Sequence, residues 1–140
     1  MKTHPQIKLS CIIDDDIIYV NLVKKIIRNK NLSEKLVIFR NGEEALMYFK
    51  SNLNNFPTTS FPEIVLLDLN MPVMDGWEFL KKFRKLKNNN DFSTSLFVVS
   101  SSIDPYEINK AKSDSIVTDY LIKPVKMDAF EKLFRIAASS

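Results

Sequence analysis

Five short apolar runs alternate with longer amphipathic segments along the chain, and this alternation limits the fold more than any other feature of the sequence. The runs lie at about 8–13, 35–40, 63–67, 95–99 and 118–122. Each has the length of an ordinary strand, and a run that is apolar throughout suits a strand buried on both faces. The sequence therefore predicts a parallel sheet that is covered by helices.

The segments between these runs have the periodicity of amphipathic helices. The predicted core-facing residues are Tyr19, Leu22, Val23 and Ile26 in the first helix, Ala45, Leu46 and Phe49 in the second, Phe79, Leu80, Phe83 and Leu86 in the third, and Met127, Phe130, Leu133, Phe134 and Ala137 in the last. In the fourth helix, Asp104 is the predicted N-cap, Pro105 the first helical residue and Glu107 the third residue after the cap.

Five strands, each followed by a helix, predict α/β architecture. Right-handed crossovers favour a doubly wound five-stranded parallel sheet, and the flavodoxin-like strand order 2-1-3-4-5 suits five such units with five helices. The chain has 140 residues, so we expect one domain over 1–140, with its core at about 7–138. Gly42 and Gly76 are the only glycines, and we expect them where the backbone needs unusual freedom.

The composition argues against several classes of protein. No apolar run is long enough to cross a bilayer, and the N-terminal residues lack the apolar region of a signal peptide, so we expect a cytoplasmic protein. The single cysteine, Cys11, suits a reducing compartment. A net charge of +3 does not indicate a nucleic acid partner, and we interpret the basic run "KKFRKLK" as a solvated helix face. His4, the only histidine, leaves no cluster for zinc.

Aspartates follow two of the predicted strands. Asp14, Asp15 and Asp16 come after the first strand and Asp68 after the third, and these strand ends are neighbours in the predicted sheet. Two like charges about 4 Å apart repel by about 4 kcal/mol at an effective dielectric constant near 20. A cation would relieve this repulsion, and a few oxygen ligands suit Mg²⁺ or Mn²⁺. Asp16 is best interpreted as a helix cap, and a capping role for Asp14 and Asp15 stays open from these residues alone.

A hydroxyl and an ammonium group are predicted at the same edge of the sheet. Ser100 ends the fourth strand, unless the strand is one residue longer and Ser101 takes that position, and Lys123 follows the fifth. Together with the aspartates they would surround a space suited to a phosphoryl group. Asp68 is the carboxylate best placed to form an aspartyl phosphate there.

Four signatures in this order resemble the receiver domains of two-component response regulators over essentially the whole chain: "IIDDD", "LLDLNMPVMDGWEFL", "VVSSS" and "YLIKP". The resemblance implies that Asp68 is the phosphoacceptor and that Asp14 and Asp15 form the acidic pair. It implies that Mg²⁺, or Mn²⁺, is bound by Asp15, Asp68 and the backbone carbonyl of Asn70, with Asp14 contacting the ion through water.

The same resemblance implies a switch. Ser100 matches the hydroxyl residue that follows the phosphoryl group, Tyr120 the aromatic switch position and Lys123 the lysine that contacts the phosphate. It implies a cis peptide bond between Lys123 and Pro124, against a base rate of roughly 5% for such bonds. Phosphorylation is expected to draw Ser100 inward, to let Tyr120 follow and to change the face made by helix 4, strand 5 and helix 5.

The resemblance also implies partners. The run "SSIDPYEINKAKSDSIVTDYLIKP" resembles single-domain receivers of Bacteroidetes-type bacteria, so we expect a stand-alone phosphorylatable receiver. It would take its phosphoryl group from a sensor histidine kinase or a histidine phosphotransfer protein and act on another protein as a monomer or a phosphorylation-dependent dimer, without binding nucleic acid or a membrane. Such a switch catalyses only its own phosphorylation and dephosphorylation, so we do not expect an enzyme that acts on other substrates.

Three alternatives compete with this hypothesis. A phosphohydrolase of the haloacid dehalogenase type would need a second acid two residues after the nucleophile, where this chain has Asn70. A pseudo-receiver that binds partners without phosphorylation would not need the complete set of site residues. A flavodoxin would need a hydroxyl-rich loop after the first strand, where three aspartates would repel the cofactor phosphate.

Overall fold

A single parallel sheet organises the computed structural model, which describes residues 6–53, 61–71, 73–90 and 92–138. Its five strands have the order β2-β1-β3-β4-β5, as the sequence predicts. The elements are β1 (Ile7–Ile13), α1 (Ile17–Asn29), β2 (Ser33–Phe39), α2 (Gly42–Leu53), β3 (Ile64–Leu67), α3 (Gly76–Asn89), β4 (Ser95–Ser100), α4 (Pro105–Lys112), β5 (Val117–Ile122) and α5 (Met127–Ala138). Within the described ranges, no helix combines the length and apolarity that crossing a membrane requires.

Two hydrophobic cores lie on opposite faces of the sheet. The first core contains buried residues of α2 and α3, among them Phe49, Phe79 and Phe83, whose rings pack on one another. The second core contains buried residues of α1 and α5, such as Val23 and Phe130. Helices on both faces explain why β3 is buried along its whole length and reads as an unbroken apolar run.

The prediction that Leu22 of α1 faces the core is wrong, because this side chain is 51% exposed. Val20 and Ile27 are buried instead, beside Val23 and Ile26. Because the apolar residues of α1 outnumber the positions on one helical face, they fit the helical period in more than one phase. Met127 is likewise 49% exposed, since it is the first residue of α5 and precedes the turn that packs on the sheet.

The predicted N-cap of α4 is confirmed, whereas the side chain of Glu107 bonds to Ser102. The Asp104 carboxylate accepts a hydrogen bond from the backbone N–H of Tyr106. Glu107 accepts a hydrogen bond from the Ser102 hydroxyl at 2.6 Å, and the same hydroxyl accepts one from the backbone N–H of Asp104 at 3.3 Å. Ser102 thus stands between the two residues that the capping-box pattern would join directly.

Neither glycine adopts a positive φ, so the expected backbone freedom is not what these positions use. A Cβ on Gly76 would lie 2.5 Å from the backbone oxygen of Asp68 and 2.7 Å from the Cα of Leu69. The start of α3 therefore packs directly on the backbone that follows β3. Asp75 caps this helix by accepting a hydrogen bond from the N–H of Glu78.

Candidate functional site

Strand register brings the aspartates together. Ile13 at the end of β1 pairs with Leu67 at the end of β3, so the next residue of each strand, Asp14 and Asp68, leaves the sheet at the same edge. The backbone N–H of Asp68 donates to the carbonyl of Ile13 at 2.9 Å. The sheet therefore holds the backbone of Asp68 directly against β1.

Three of the four predicted aspartates converge. Asp14, Asp15 and Asp68, here called the carboxylate cluster, each offer an oxygen that lies within 4.8 Å of the other two. Asp14 and Asp68 are buried, whereas Asp15 is exposed. Asp16 lies outside this cluster and caps α1, where its carboxylate accepts a hydrogen bond from the N–H of Tyr19 at 3.1 Å.

Burial dominates the electrostatics of the cluster. It raises the pKa of the Asp14 carboxyl, and it raises the pKa of Asp68 to about 6 with a further contribution from the charge of Asp14. The ammonium of Lys123 opposes both increases, and the backbone N–H groups of Leu69 and Asn70 oppose the increase at Asp68. The two buried carboxylates are therefore under-neutralised by the protein alone.

This arrangement suits a divalent cation. Carboxylate oxygens are the donors that Mg²⁺ and Mn²⁺ prefer, and bringing three of them together in a partly buried site is unfavourable unless positive charge is added. Asn70 lies two residues after Asp68 in the loop that follows β3, and its backbone N–H hydrogen-bonds to Asp68. The roles of the Asn70 carbonyl as a ligand and of Asp14 as a ligand through water stay predictions.

Lys123 reaches the cluster from β5. Its backbone N–H donates to the Ser100 carbonyl at 2.9 Å, which fixes the start of the loop after β5. Its Nζ lies 2.8 Å from Oδ2 of Asp14 and 3.9 Å from Oδ2 of Asp68. The predicted cis peptide bond between Lys123 and Pro124 is present.

The hydroxyl predicted at the end of β4 belongs to a buried residue. Ser100 is fully buried and is the last residue of β4, whereas Ser101 is exposed and follows the strand. The Ser100 Oγ accepts a hydrogen bond from the backbone N–H of Ser102 at 3.1 Å. Its predicted contact with a phosphoryl group stays a prediction.

Tyr120 is joined to the same loop. Its side chain is buried, and its hydroxyl donates to the backbone carbonyl of Ser102 at 2.8 Å. Ser102 therefore links Ser100, Tyr120 and Glu107 through separate polar groups. The run of three serines at 100–102 indicates hydroxyl groups at this edge of the sheet, but these contacts of Ser102 do not follow from the sequence.

Tyr19 has a contact that its helical periodicity does not predict. The sequence predicts it only as a core residue of α1, but its ring lies under the ammonium of Lys123, with 4.4 Å between Nζ and the ring centroid. His4, which the sequence excludes from a zinc cluster, lies outside the described residues.

Sequence comparison identifies the family. Residues 11–135 match the family described as "Response regulator receiver domain". The probable methanogenesis regulatory protein FilR2 of Methanothrix harundinacea is 28% identical over 124 residues, which cover 89% of this chain and 75% of that protein. The match to the peroxide stress-activated histidine kinase mak1 of Schizosaccharomyces pombe, 26% identical, covers 81% of this chain and only 6% of the kinase.

Solved structures agree with this match. A two-component response regulator from Cytophaga hutchinsonii has a TM-score of 0.78 at 28% identity, covering 96% of this chain and 99% of that one. The Saccharomyces cerevisiae Ssk1 receiver domain, solved with the phosphotransfer protein Ypd1, has a TM-score of 0.78 at 25% identity. The match covers 99% of this chain and 92% of that one. The Mn²⁺-bound form of the response regulator Rcp1 has a TM-score of 0.69 at 25% identity, and the match covers 94% of this chain and 92% of that one.

The strand order, the carboxylate cluster at the ends of β1 and β3, and the family match over most of the chain agree with one another. The chain therefore belongs to the response regulator receiver domain family of two-component signalling.

Proposed function

We propose that this receiver is a phosphorylatable switch in which Asp68 accepts a phosphoryl group from a phosphohistidine. One observation carries the proposal: the buried carboxylate of Asp68 has two further carboxylates within 4.8 Å and an ammonium 3.9 Å away. This set of charges places an anionic nucleophile beside groups that can neutralise or bind the oxygens of a phosphoryl group. The switch modifies only itself and is not an enzyme that turns over other substrates.

The transfer is a displacement at phosphorus. An oxygen of Asp68 attacks the phosphorus, a P–O bond forms as the P–N bond to the histidine breaks, and the electron pair of that bond stays on the imidazole nitrogen. In the later hydrolysis, water attacks the phosphorus and the P–O bond to Asp68 breaks. The carboxylate and inorganic phosphate are released, and the second proton of the water passes to phosphate or solvent.

The side chains around Asp68 have separate tasks in this chemistry. Lys123, already within 3.9 Å of Asp68, pairs with a phosphoryl oxygen. Asp14, Asp15, Asp68 and the carbonyl of Asn70 would hold Mg²⁺ or Mn²⁺, and the manganese-bound structure of Rcp1 supports a divalent ion in this family. When bound, the cation neutralises negative charge on the transferring phosphoryl oxygens.

The response to phosphorylation passes through the end of β4. The Ser100 hydroxyl exchanges its hydrogen bond with the Ser102 N–H for one with the phosphoryl group. Because Ser102 also carries the hydrogen bonds of Tyr120 and Glu107, a shift of this loop reaches α4 and β5. The resulting change is a shift in population between two arrangements of α4, β5 and α5.

The donor is a sensor histidine kinase or a histidine phosphotransfer protein, and the complex of the related Ssk1 receiver with Ypd1 supports this class of partner. In the N-terminal half of α1, which follows Asp14 and Asp15 in the chain, Ile17, Ile18 and Leu22 are 55%, 84% and 51% exposed. We propose that these three residues, here called the α1 apolar surface, contact the donor protein.

The switch works in the cytoplasm, where Cys11 stays reduced, and its output passes through another protein.

Intact mass after incubation with acetyl phosphate tests the proposal. We expect a gain of one phosphoryl group that requires Mg²⁺ and is absent in Asp68→Asn. The control variant Asp16→Asn keeps an N-cap outside the carboxylate cluster and should gain the group as the wild type does. If the mass does not increase, rapid hydrolysis is tested with beryllofluoride, which mimics a phosphoryl group that cannot be hydrolysed. If the beryllofluoride complex also fails to form, binding of partners without phosphorylation is the function that remains.

A further inference from the structure

Three groups surround the ammonium of Lys123, and only two of them are acids. Its Nζ lies 2.8 Å from Asp14, 3.9 Å from Asp68 and 4.4 Å from the centre of the Tyr19 ring. The Lys123 side chain is 13% exposed. An ammonium at this distance over an aromatic face is attracted by the ring, and the attraction increases as water is excluded.

The hydroxyl of Tyr19 does not account for this position. It is buried, and it has no hydrogen-bond partner among the residues that the structure describes. Burying a hydroxyl without a partner is unfavourable. Burial and the nearby carboxylates of Asp14, Asp68 and Asp16 raise the pKa of this phenol above its ordinary value, so the ring stays uncharged. The aromatic face is therefore the part of Tyr19 that interacts with the site.

A lysine held only by carboxylates would lose its position when those carboxylates change partners. In the proposed function, Asp14 and Asp68 also face a cation, and phosphorylation converts the Asp68 carboxylate to an acyl phosphate. An uncharged ring on α1 does not take part in this exchange, and its contact with Lys123 is independent of the charge on either aspartate.

We propose that Tyr19 is a positioning residue that holds the Lys123 ammonium over the carboxylate cluster through its aromatic face. This inference rests on the proposed phosphorylation of Asp68. Tyr19 does not touch the phosphoryl group, but acts through Lys123. A purely structural role in the second core, against which Tyr19 also packs, would be served equally well by an aliphatic residue.

Substitutions that keep or remove the aromatic face separate these roles. Tyr19→Phe and Tyr19→Trp keep a ring, whereas Tyr19→Leu and Tyr19→Met keep only apolar volume. The readout is the rate of phosphorylation by acetyl phosphate at saturating Mg²⁺. We expect the rates of Tyr19→Phe and Tyr19→Trp to lie within about twofold of the wild-type rate, and those of Tyr19→Leu and Tyr19→Met to be about five- to tenfold lower. Equal rates in Leu, Phe and wild type would overturn the inference, as would a Phe variant that is as slow as Leu.

A second measurement reads the contact without any phosphorylation. In protein labelled with ¹³C at lysine Cε, the ring should shift the Hε resonances of Lys123 upfield, with the assignment taken from Lys123→Gln. The upfield shift should persist in the two aromatic variants and disappear in the two aliphatic variants. If the wild type does not show the shift, the contact between the ring and Lys123 is contradicted. If the wild type shows the shift but gains no phosphoryl group, the proposed function fails while the ring contact stands.

Variants that lose structure are recognised by circular dichroism and excluded from this comparison. Two aliphatic and two aromatic substitutions allow the inference to be tested even if one variant of each kind does not fold. Wild-type rates in a folded aliphatic variant whose lysine shift is lost would assign Tyr19 to packing alone and overturn its positioning role.

Discussion

The hydroxyl of Tyr120 donates a hydrogen bond of 2.8 Å to the backbone carbonyl of Ser102. Tyr120 is buried on β5, and Ser102 lies in the loop between β4 and α4. Since the N–H of the same Ser102 donates to Ser100, one residue of this loop contacts both members of the predicted switch. The buried position of Tyr120 is the one that we expect to be favoured by phosphorylation.

Removing the Tyr120 hydroxyl should loosen this loop without disturbing the core. For Tyr120→Phe we expect the free energy of unfolding to fall by about 1 kcal/mol, because one hydrogen bond is lost while the ring stays packed. Amide hydrogen exchange at 101–104 should be faster. Tyr106→Phe is the matched control, since Tyr106 is 72% exposed on α4. Equal exchange in both variants would show that the hydrogen bond does not hold the loop.

The sequence predicts the fold well because strands buried on both faces leave an unmistakable pattern. The strand order and the convergence of Asp14 and Asp68 follow from that pattern, since each residue directly follows a parallel strand. The exposure of Leu22 does not follow, because its apolar neighbours allow more than one helical phase. The contacts of Tyr19 and Ser102 depend on side chains and loops from distant parts of the chain, and local periodicity carries no information about them.

Removing the charge of Asp68 should stabilise the protein in a pH-dependent way. Its pKa is raised from an ordinary 3.8 to about 6 in the folded protein, so ionisation is less favourable in the folded state than in the unfolded chain. This destabilisation is fully present above pH 6 and absent below about 3.8. With divalent ions chelated, Asp68→Asn should therefore raise the free energy of unfolding at pH 7 by between about 1 and 3 kcal/mol.

Urea denaturation between pH 4 and pH 7.5 measures this effect. The gain from Asp68→Asn should shrink steadily as the pH falls from 6 to 4. Asp15→Asn removes a charge from the exposed member of the carboxylate cluster and should have a smaller effect. A gain that does not change with pH would mean that the raised pKa of Asp68 is not its cause.

Divalent cations should bind and stabilise the folded protein through the carboxylate cluster. At a Mg²⁺ concentration about 100 times the dissociation constant, the gain in the free energy of unfolding should be about 2.7 kcal/mol. Chelation should remove this gain, and Asp68→Asn should greatly reduce it. Asp16→Asn, which changes a helix cap outside the cluster, should keep it. The same gain in both variants would place the cation elsewhere.

Filling the space at Gly76 should disturb the backbone that carries Asp68. In Gly76→Ala the new Cβ would lie 2.5 Å from the Asp68 oxygen and 2.7 Å from the Leu69 Cα, and neither backbone atom can move without shifting the loop. We expect a loss of about 2 kcal/mol or more in the free energy of unfolding, together with slower phosphorylation. Thermal denaturation and intact mass measure the two effects.

Gly42→Ala is the control for this substitution, because its new Cβ would meet less severe contacts. It would lie 3.0 Å from the Cβ of Phe79, and 3.1 and 3.2 Å from the backbone oxygen and the Cγ of Met74. It should cost less stability and leave the phosphorylation rate nearly unchanged. A greater loss in Gly42→Ala than in Gly76→Ala would contradict the tight packing of α3 on the loop after β3.

The α1 apolar surface should matter to a protein donor and not to a small one. Ile18 is 84% exposed, so Ile18→Gln changes the surface beside the carboxylate cluster without opening a cavity. With a phosphorylated histidine phosphotransfer protein as the donor, we expect transfer to slow by about tenfold, which is the effect of losing one central apolar contact. Phosphorylation by acetyl phosphate should stay within about twofold of the wild type. Met47→Gln, at a residue 63% exposed on α2 across the sheet, should change neither rate. Equal slowing with both donors would instead mean that Ile18 supports the geometry of the carboxylate cluster.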